Sequence, residues 1–271
     1  MKEKLKTIFR KVSPYLFNWR GTHKINLIKT IYYNFRIFPF HIAKKLPIYI
    51  HSGVKVYKMG KIRIEGKVTR RMITIGGYNL KAQGVSKILN KGEIIFKGPV
   101  RLGGEAIIEN NGIIIFEGET IIGESCTFLI QRQLVIGKYT RIGFRCLWTD
   151  SDYHYMINVQ TGEIKRNEKE IVIGKCNWIA NTVTIKKGTR TPDYTIAAAN
   201  SLLLKDYTTI LPPYSIIGGM PAKLITSGYR RIYNRKEEEW LSQYFNEHDV
   251  PSFNLDLDNI DINEYCTKDP L

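Results

Sequence analysis

The sequence predicts an all-β solenoid, a parallel β-helix, between a basic N-terminal segment and a C-terminal helix with an acidic tail. Three observations support this fold class: aliphatic residues recur at a step of six, glycine repeatedly follows them, and one polar stretch interrupts the rhythm. A step of six is neither the 3.6-residue period of a helix nor the simple alternation of a strand. We divide the 271 residues into segments 1–59, 60–225 and 226–271.

The first segment, residues 1–59, is predicted to be helical and irregular. It carries the charge imbalance of the chain, because residues 1–71 hold 18 Lys and Arg against two Glu, while the formal net charge of the whole chain is +16. These cations alternate with Ile, Tyr and Phe, a composition that suits peripheral contact with an anionic membrane surface. A solvated basic cap over the end of the core is the other interpretation. Nucleic acid is not an expected partner, because no nucleic-acid-binding motif is present.

The expected compartment is the cytoplasm, with peripheral contact at the inner face of the membrane if the basic segment binds lipid. The chain contains no run of about 18 apolar residues and no secretory signal pattern. Its four cysteines lack the spacing of a metal site or of a disulfide framework. We therefore expect free thiols and no bound metal.

The solenoid is predicted over residues 60–225. Gly follows the aliphatic residue in pairs such as Ile75-Gly76 and Ile136-Gly137, as expected where a short strand turns a corner. Ordinary short strands in a meander are the alternative, but they do not explain a fixed step. Stacked coils of short strands do, and they are typical of hexapeptide β-helices. Before residue 136 the step slips to seven or eight, so the first coils are expected to be less regular. The step of six is kept by Ile173, Ile179, Ile185, Thr191, Ala197 and Leu203.

A loop over residues 149–170 is predicted to leave the solenoid wall. The interval from Trp148 to Ile173 does not fit whole hexamers, and the intervening residues are largely polar. The loop begins with TDSDYHYMI, which places His154 behind two carboxylates, Asp150 and Asp152.

The last segment, residues 226–271, is predicted to contain a helix over NRKEEEWLSQYFNEH. An acidic tail follows, since residues 237–271 contain ten acidic residues and one lysine.

The sequence resembles the hexapeptide-repeat acyltransferases, in particular the sugar and capsular polysaccharide O-acetyltransferases of the maltose, galactoside and xenobiotic acetyltransferase group. The stretch from IVIGKCNWIA to IIGGMPAKLI, residues 171–225, carries the resemblance most specifically. The resemblance implies a left-handed β-helix, a homotrimer, and active sites between subunits that use acetyl-CoA as co-substrate. It implies transfer of an acetyl group to a hydroxyl of a sugar or lipid-linked glycan.

The resemblance also implies that His154 is the catalytic base. A histidine suits this chemistry because its ordinary pKa of ~6.5 lets it accept a hydroxyl proton near neutral pH. Asp152 or Asp150 could hold the second ring nitrogen, and we prefer Asp152.

Coenzyme A contacts are likewise implied by matching positions. Ala180 and Ala198 are small residues that leave room for the pantetheine arm between coils. Trp178 matches an aromatic that borders the acyl group, with a tryptophan sealing the subunit contact as the alternative. Lys205 and Lys223 match residues that meet the phosphates of the cofactor.

Two other functions compete with this hypothesis. A non-catalytic trimeric scaffold would need neither His154 nor a coenzyme A groove, and an acetyltransferase for a small non-sugar acceptor would keep both. A metal-dependent hydratase on the same solenoid needs three converging histidines, whereas His154 is the only histidine among the regular coils.

Overall fold

The computed structural model describes residues 24–77 and 84–267. Predictions for residues 1–23 of the basic segment, for 78–83 of the solenoid and for the last four residues of the tail lie outside the described residues. Within the described ranges the chain forms 21 strands and four helices. The helices are α1 (Leu27–Ile37), α2 (Phe40–Ala43), α3 (Arg235–His248) and α4 (Ile262–Thr267).

The strands are short and follow one another with few interruptions. In chain order they are β1 (Ile48–Ile50), β2 (Val54–Lys58), β3 (Lys61–Ile64), β4 (Ile73–Ile75), β5 (Ser86–Asn90), β6 (Glu93–Phe96), β7 (Val100–Leu102), β8 (Ile107–Asn110), β9 (Ile113–Phe116), β10 (Thr120–Ile122), β11 (Thr127–Ile130), β12 (Gln133–Ile136), β13 (Arg141–Ile142), β14 (Leu147–Thr149), β15 (Ile171–Ile173), β16 (Trp178–Ile179), β17 (Thr184–Lys186), β18 (Ile196–Ala197), β19 (Leu202–Leu203), β20 (Ser215–Gly218) and β21 (Lys223–Ser227).

These strands form three sheets in which every third strand is a neighbour over most of the solenoid. In the described part of the chain the sheets have nine, seven and five strands, in the orders β1-β4-β7-β10-β13-β16-β18-β20-β21, β2-β5-β8-β11-β14-β17-β19 and β3-β6-β9-β12-β15. The ladders are parallel, except that β21 runs antiparallel to β20. The predicted fold class, an all-β parallel solenoid with helices at its two ends, is confirmed. Its left-handed sense stays an expectation from the resemblance.

The core is a narrow tube filled by the alternate, inward-facing side chains of the short strands. Aliphatic residues such as Ile114, Leu134 and Ile179 are fully buried. Aromatic residues of successive coils stack along the tube, as in Phe128 on Trp148 at 5.6 Å between ring centroids. Each coil buries the apolar face and the backbone hydrogen-bonding groups of the coil beside it, so the solenoid is stabilised as one stack.

Most coils before the loop contain 20 residues, which explains the slips in the six-residue step. Asn90 and Asn110 occupy equivalent positions 20 residues apart, whereas equivalent residues of a later coil are 18 apart. The two additional residues lie between the seven-stranded and five-stranded sheets, where Asn111–Gly112 separates β8 from β9. Buried Asn110 stabilises this wider corner by donating to Asn90 Oδ1 at 2.8 Å and accepting from the Gly112 N–H at 3.1 Å.

The two ends of the solenoid differ from the predicted boundaries in detail. Strand β1 already pairs in parallel with β4, so the first coil begins at Ile48 rather than near residue 60. Helices α1 and α2 precede it, whereas residues 48–58, predicted to belong to the helical and irregular segment, form strands β1 and β2 of the solenoid. At the other end, α3 begins after the N-cap Asn234, whose side chain accepts from the Lys236 N–H. Within residues 24–77 and 84–267 no helix is both long and apolar enough to cross a membrane.

Candidate functional site

The candidate site lies where the chain leaves the corner between the seven-stranded and five-stranded sheets. The chain departs after β14, at Thr149, and rejoins the solenoid in β15, at Ile171. Two antiparallel bridges, Ser151 with Glu168 and Ile157 with Ile164, make the intervening loop a narrow hairpin. This hairpin replaces the two-residue corner of the preceding coils.

Asp150 anchors the base of this loop. Its side chain is fully buried and accepts three backbone N–H groups of the coil beneath, from Gln131 at 2.7 Å, Arg132 at 2.7 Å and Gln133 at 2.8 Å. In the preceding coil, carbonyl groups of the next coil accept two of the three corresponding N–H groups, as Arg132 O does for Ile113, and Asn110 Oδ1 accepts the third. The loop removes those carbonyls from this corner, and the carboxylate of Asp150 takes their place.

Burial and backbone hydrogen bonding shift the pKa of Asp150 in opposite directions. Burial, the larger effect, raises the pKa of the carboxyl group, and the three backbone N–H donors oppose that shift. With its oxygens committed to the solenoid backbone, Asp150 has a structural role at the foot of the loop.

Asp152 faces the opposite direction, toward the next coil. Its carboxylate forms a close ion pair with Lys187, which directly follows β17. Lys187 Nζ also donates to the carbonyl of Asn167 at 3.3 Å, and the Asp152 N–H donates to the same carbonyl at 2.9 Å. The three residues tie the two arms of the hairpin to the solenoid wall.

A pocket of about 270 Å³ opens between the hairpin and this wall. His154 is exposed on its rim, and the described parts of the chain give its imidazole no hydrogen bond or ion pair. The residues that line the pocket are Asp152, His154, Met156, Ile157, Asn158, Glu163, Lys165, Arg166, Asn167 and Lys187.

The structure brings His154 and Asp152 together, but it does not pair them. Because Asp152 is bound to Lys187 and Asp150 to the backbone, neither carboxylate orients the imidazole in this arrangement. The assignment of Asp152 as the partner of His154 stays a prediction. Lys187 is the residue that sequence reasoning missed, and its only sequence signal is its place at the corner one coil beyond the loop.

The residues predicted to bind coenzyme A occupy different edges of one chain. Lys205 is exposed two residues after β19, at the same corner as the loop. Ala180 and Ala198 lie at the corner that precedes the seven-stranded sheet, and their N–H groups donate to the adjacent coils at 2.9 and 2.8 Å. Lys223 begins the antiparallel strand β21.

Trp178 lies on the outer face of the nine-stranded sheet and is partly covered from the C-terminal side. The Arg231 guanidinium lies 4.9 Å from the centroid of its ring, a distance at which cation–π attraction operates. A single chain therefore does not gather Trp178, Ala180 and Ala198 beside His154.

Metal-ligating residues are not clustered in the described ranges: they contain no group of three or more His, Cys, Asp or Glu that could hold a metal ion.

No protein-family model matches the chain, and no curated protein sequence matches it. Solved structures similar to it include the polysialic acid O-acetyltransferase OatWY, at 19% identity over 70% of this chain and 94% of that one, with a TM-score of 0.36. The polySia-specific acetyltransferase NeuO is 16% identical over 74% and 98%, with a TM-score of 0.37. A hexapeptide-repeat acetyltransferase of Vibrio cholerae O1 biovar eltor, complexed with acetyl coenzyme A, is 17% identical over 78% and 87%, with a TM-score of 0.34. At these values the similarities carry no conclusion about activity.

Proposed function

We propose that this protein is an acetyl-CoA-dependent O-acetyltransferase that acetylates a hydroxyl of a sugar or polysaccharide repeat unit. One observation carries the proposal: a hairpin interrupts the solenoid wall between β14 and β15, and it forms a pocket with an exposed histidine on its rim. A loop that served only as a connection would need no buried anchor. Here Asp150 and the pair of Asp152 with Lys187 hold it at both sides.

In the proposed reaction, His154 accepts the proton of the sugar hydroxyl while the oxygen attacks the carbonyl carbon of the acetyl thioester. The tetrahedral intermediate then expels the thiolate of coenzyme A, which takes the proton back from the imidazolium. A positioned base of this kind contributes about 10² to 10⁴ in rate. The pocket also offers carboxylate and amide groups, on Glu163, Asn158 and Asn167, that suit the hydroxyls of a sugar.

The donor is proposed to lie between chains of a homotrimer. Since Trp178, Ala180 and Ala198 are on a different edge from His154, a groove containing all four requires the loop of one chain and the wall of its neighbour. The phosphates of coenzyme A would then meet Lys205 and Lys223, which are both exposed. This arrangement needs no metal.

The protein is proposed to act in the cytoplasm, with residues 1–59 in peripheral contact with the inner face of the membrane. A lipid-linked glycan is the acceptor that best accounts for the basic segment.

The test is acetyl transfer by His154→Ala, measured as release of free coenzyme A and as mass gain of a glycan acceptor. We expect turnover to fall at least about 100-fold, with the circular dichroism spectrum and the affinity for acetyl-CoA unchanged, because His154 is exposed and makes no contact that holds the coils together. His248→Ala, which removes an exposed histidine of α3, is the matched control and should keep full turnover.

Two alternatives give different results in the same experiments. A non-catalytic trimeric scaffold would show no heat of binding when acetyl-CoA is titrated in a calorimeter. An acetyltransferase for a small non-sugar acceptor would bind acetyl-CoA and lose turnover with His154→Ala, but it would leave glycans unmodified.

A further inference from the structure

Helix α1 directs two uncharged polar side chains, Asn34 and Thr30, inward against the first coil. Asn34 is fully buried, donates to the Ile48 carbonyl at 2.7 Å and accepts from the Ile48 N–H at 3.1 Å. Thr30, also buried, accepts from the Ile50 N–H at 3.1 Å. Strand β1 is the terminal strand of its sheet, so these side chains satisfy backbone groups that have no neighbouring strand on that side.

The outer face of α1 is consequently apolar and open. Ile28, Ile31, Tyr32 and Phe35 are 54%, 49%, 52% and 47% exposed, and their spacing of three and four residues places them on one side of the helix. Phe40 of α2 extends the same surface, with its ring 6.0 Å from that of Phe35 and 70% exposed. A contiguous exposed apolar patch of this kind marks a site of contact with a partner or a membrane.

The charged residues of the segment that carries this outer face, 24–58, are all Lys or Arg. Residues 24–58 contain seven Lys and Arg and no Asp or Glu. Lys24, Arg36, Lys44 and Lys45 are exposed, and Arg36 lies over the ring of Tyr32, 5.8 Å from its centroid. Aromatic and aliphatic side chains bordered by Lys and Arg are typical of helices that lie in the interface of an anionic membrane.

We propose that the outer face of α1, extended by Phe40, docks the protein on an anionic lipid surface. The face would insert Ile31, Tyr32 and Phe35 among the acyl chains, while Lys44 and Lys45 meet the headgroups. A second copy of this chain is a poor occupant, because two such faces would bring like charges together with no carboxylate from residues 24–58 to compensate.

This proposal deepens the peripheral membrane contact stated above by naming the surface, and it does not depend on acetyl transfer. It also fixes an orientation, since α1 covers the end of the solenoid and the coils then rise from the membrane. The His154 loop leaves β14, four strand steps from β2. At ~4.8 Å per step the pocket stands roughly 19 Å above the first coil.

The test is co-sedimentation of the full chain with vesicles of phosphatidylcholine alone or mixed with phosphatidylglycerol, at low and high salt, without acetyl-CoA or acceptor. We expect binding only to the mixed vesicles, weakened by salt because the headgroup attraction is screened. Exchanging both Ile31 and Phe35 for Ser should weaken it at least about tenfold, since it removes apolar area from the inserted face. The matched control is Ile210→Ser with Leu257→Ser, which removes two comparably exposed apolar residues elsewhere and should bind as the wild type does.

A second variant, Lys44→Glu with Lys45→Glu, tests the charge separately and should also lose at least about tenfold in affinity for mixed vesicles. Light scattering on each sample reports the oligomeric state. If the wild type ignores mixed vesicles at low salt, or if both double variants bind as well as it does, the proposal is overturned. A change of oligomeric state in the Ile31 and Phe35 variant, without vesicle binding by the wild type, would assign the face to contacts between chains. Acetyl transfer to a soluble acceptor should persist in both variants, so failure here is distinguishable from failure of the proposed reaction.

Discussion

Replacing Asp150 with Ala should destabilise the protein far more than an ordinary loop substitution. The change removes the acceptor of three buried backbone N–H groups, those of Gln131, Arg132 and Gln133. Each buried donor left without a partner costs about 1–3 kcal/mol. Removing a buried carboxylate returns part of that cost, because its desolvation penalty disappears as well. Taking the lower half of the range, we expect the free energy of unfolding to fall by about 3 kcal/mol.

Urea denaturation followed by circular dichroism measures this loss, and Asp193→Ala is the matched control. Asp193 accepts one backbone N–H at 2.9 Å and pairs with Lys175 on the surface, so its removal should cost under about 1 kcal/mol. Limited proteolysis after Arg166 should be faster in Asp150→Ala, because the foot of the hairpin is released. If Asp150→Ala unfolds within about 1 kcal/mol of the wild type, the carboxylate does not substitute for the missing carbonyl groups.

Asp150 should also make the free energy of unfolding depend on pH. Because burial raises the pKa of Asp150, the folded state binds this proton more tightly than the unfolded chain does. The stability linked to this group is therefore fully present below the ordinary carboxyl pKa and is lost as the pH rises through the raised pKa. Measured against Asp150→Asn, which does not titrate, the wild-type free energy of unfolding should decline over that interval and stay level below it.

Three further substitutions test other parts of the account. Lys187→Met should lower turnover, measured by steady-state kinetics, because it leaves the carboxylate of Asp152 unpaired beside the reacting groups. It should change the free energy of unfolding, measured by urea denaturation, by under about 1 kcal/mol, because only one partly exposed ion pair is lost. Lys205→Met or Lys223→Met should raise the KM for acetyl-CoA more than it lowers kcat, since phosphate contacts stabilise ground and transition states alike; a defect in kcat alone would contradict the placement. Asn34→Leu should reduce the free energy of unfolding by about 2 kcal/mol or more, because Ile48 loses both partners of its backbone groups.

The sequence predicted the solenoid because the side chains that fill the tube are aliphatic and recur at a regular spacing along the chain. The six-residue spacing is less regular where coils have 20 residues, because each such coil has two additional residues at one corner. These residues are polar, as at Gln131–Arg132. The position of the loop was also predictable, because a long polar interval cannot continue the wall. What the sequence could not reveal is which coil partner each loop residue meets. Asp150 and Asp152 are two positions apart and chemically alike, yet one faces the coil before and the other the coil after.

Coenzyme A contacts were harder to predict for a different reason. Matching single positions to a family locates residues in the sequence but not on a particular edge of the solenoid. The chain passes every edge once per coil, so residues close in sequence can lie on different edges. Trp178 and His154 therefore fall on different edges although only two dozen residues separate them. Which edge of one chain faces which edge of its neighbour depends on how the chains assemble. That assembly is determined by whole surfaces, which short sequence motifs do not describe.

The covering of β1 by helix α1 has a consequence for the physical state of the protein. A parallel stack of coils exposes, at its first strand, a row of unpaired backbone groups that could template another strand, and repetition of that step would produce a fibre. Thr30 and Asn34 occupy those groups with side chains that cannot be extended into a further coil. The helix thus prevents a strand of another molecule from pairing with β1. Loss of its inner polar residues would expose β1 to such pairing, and solenoids could then associate end to end.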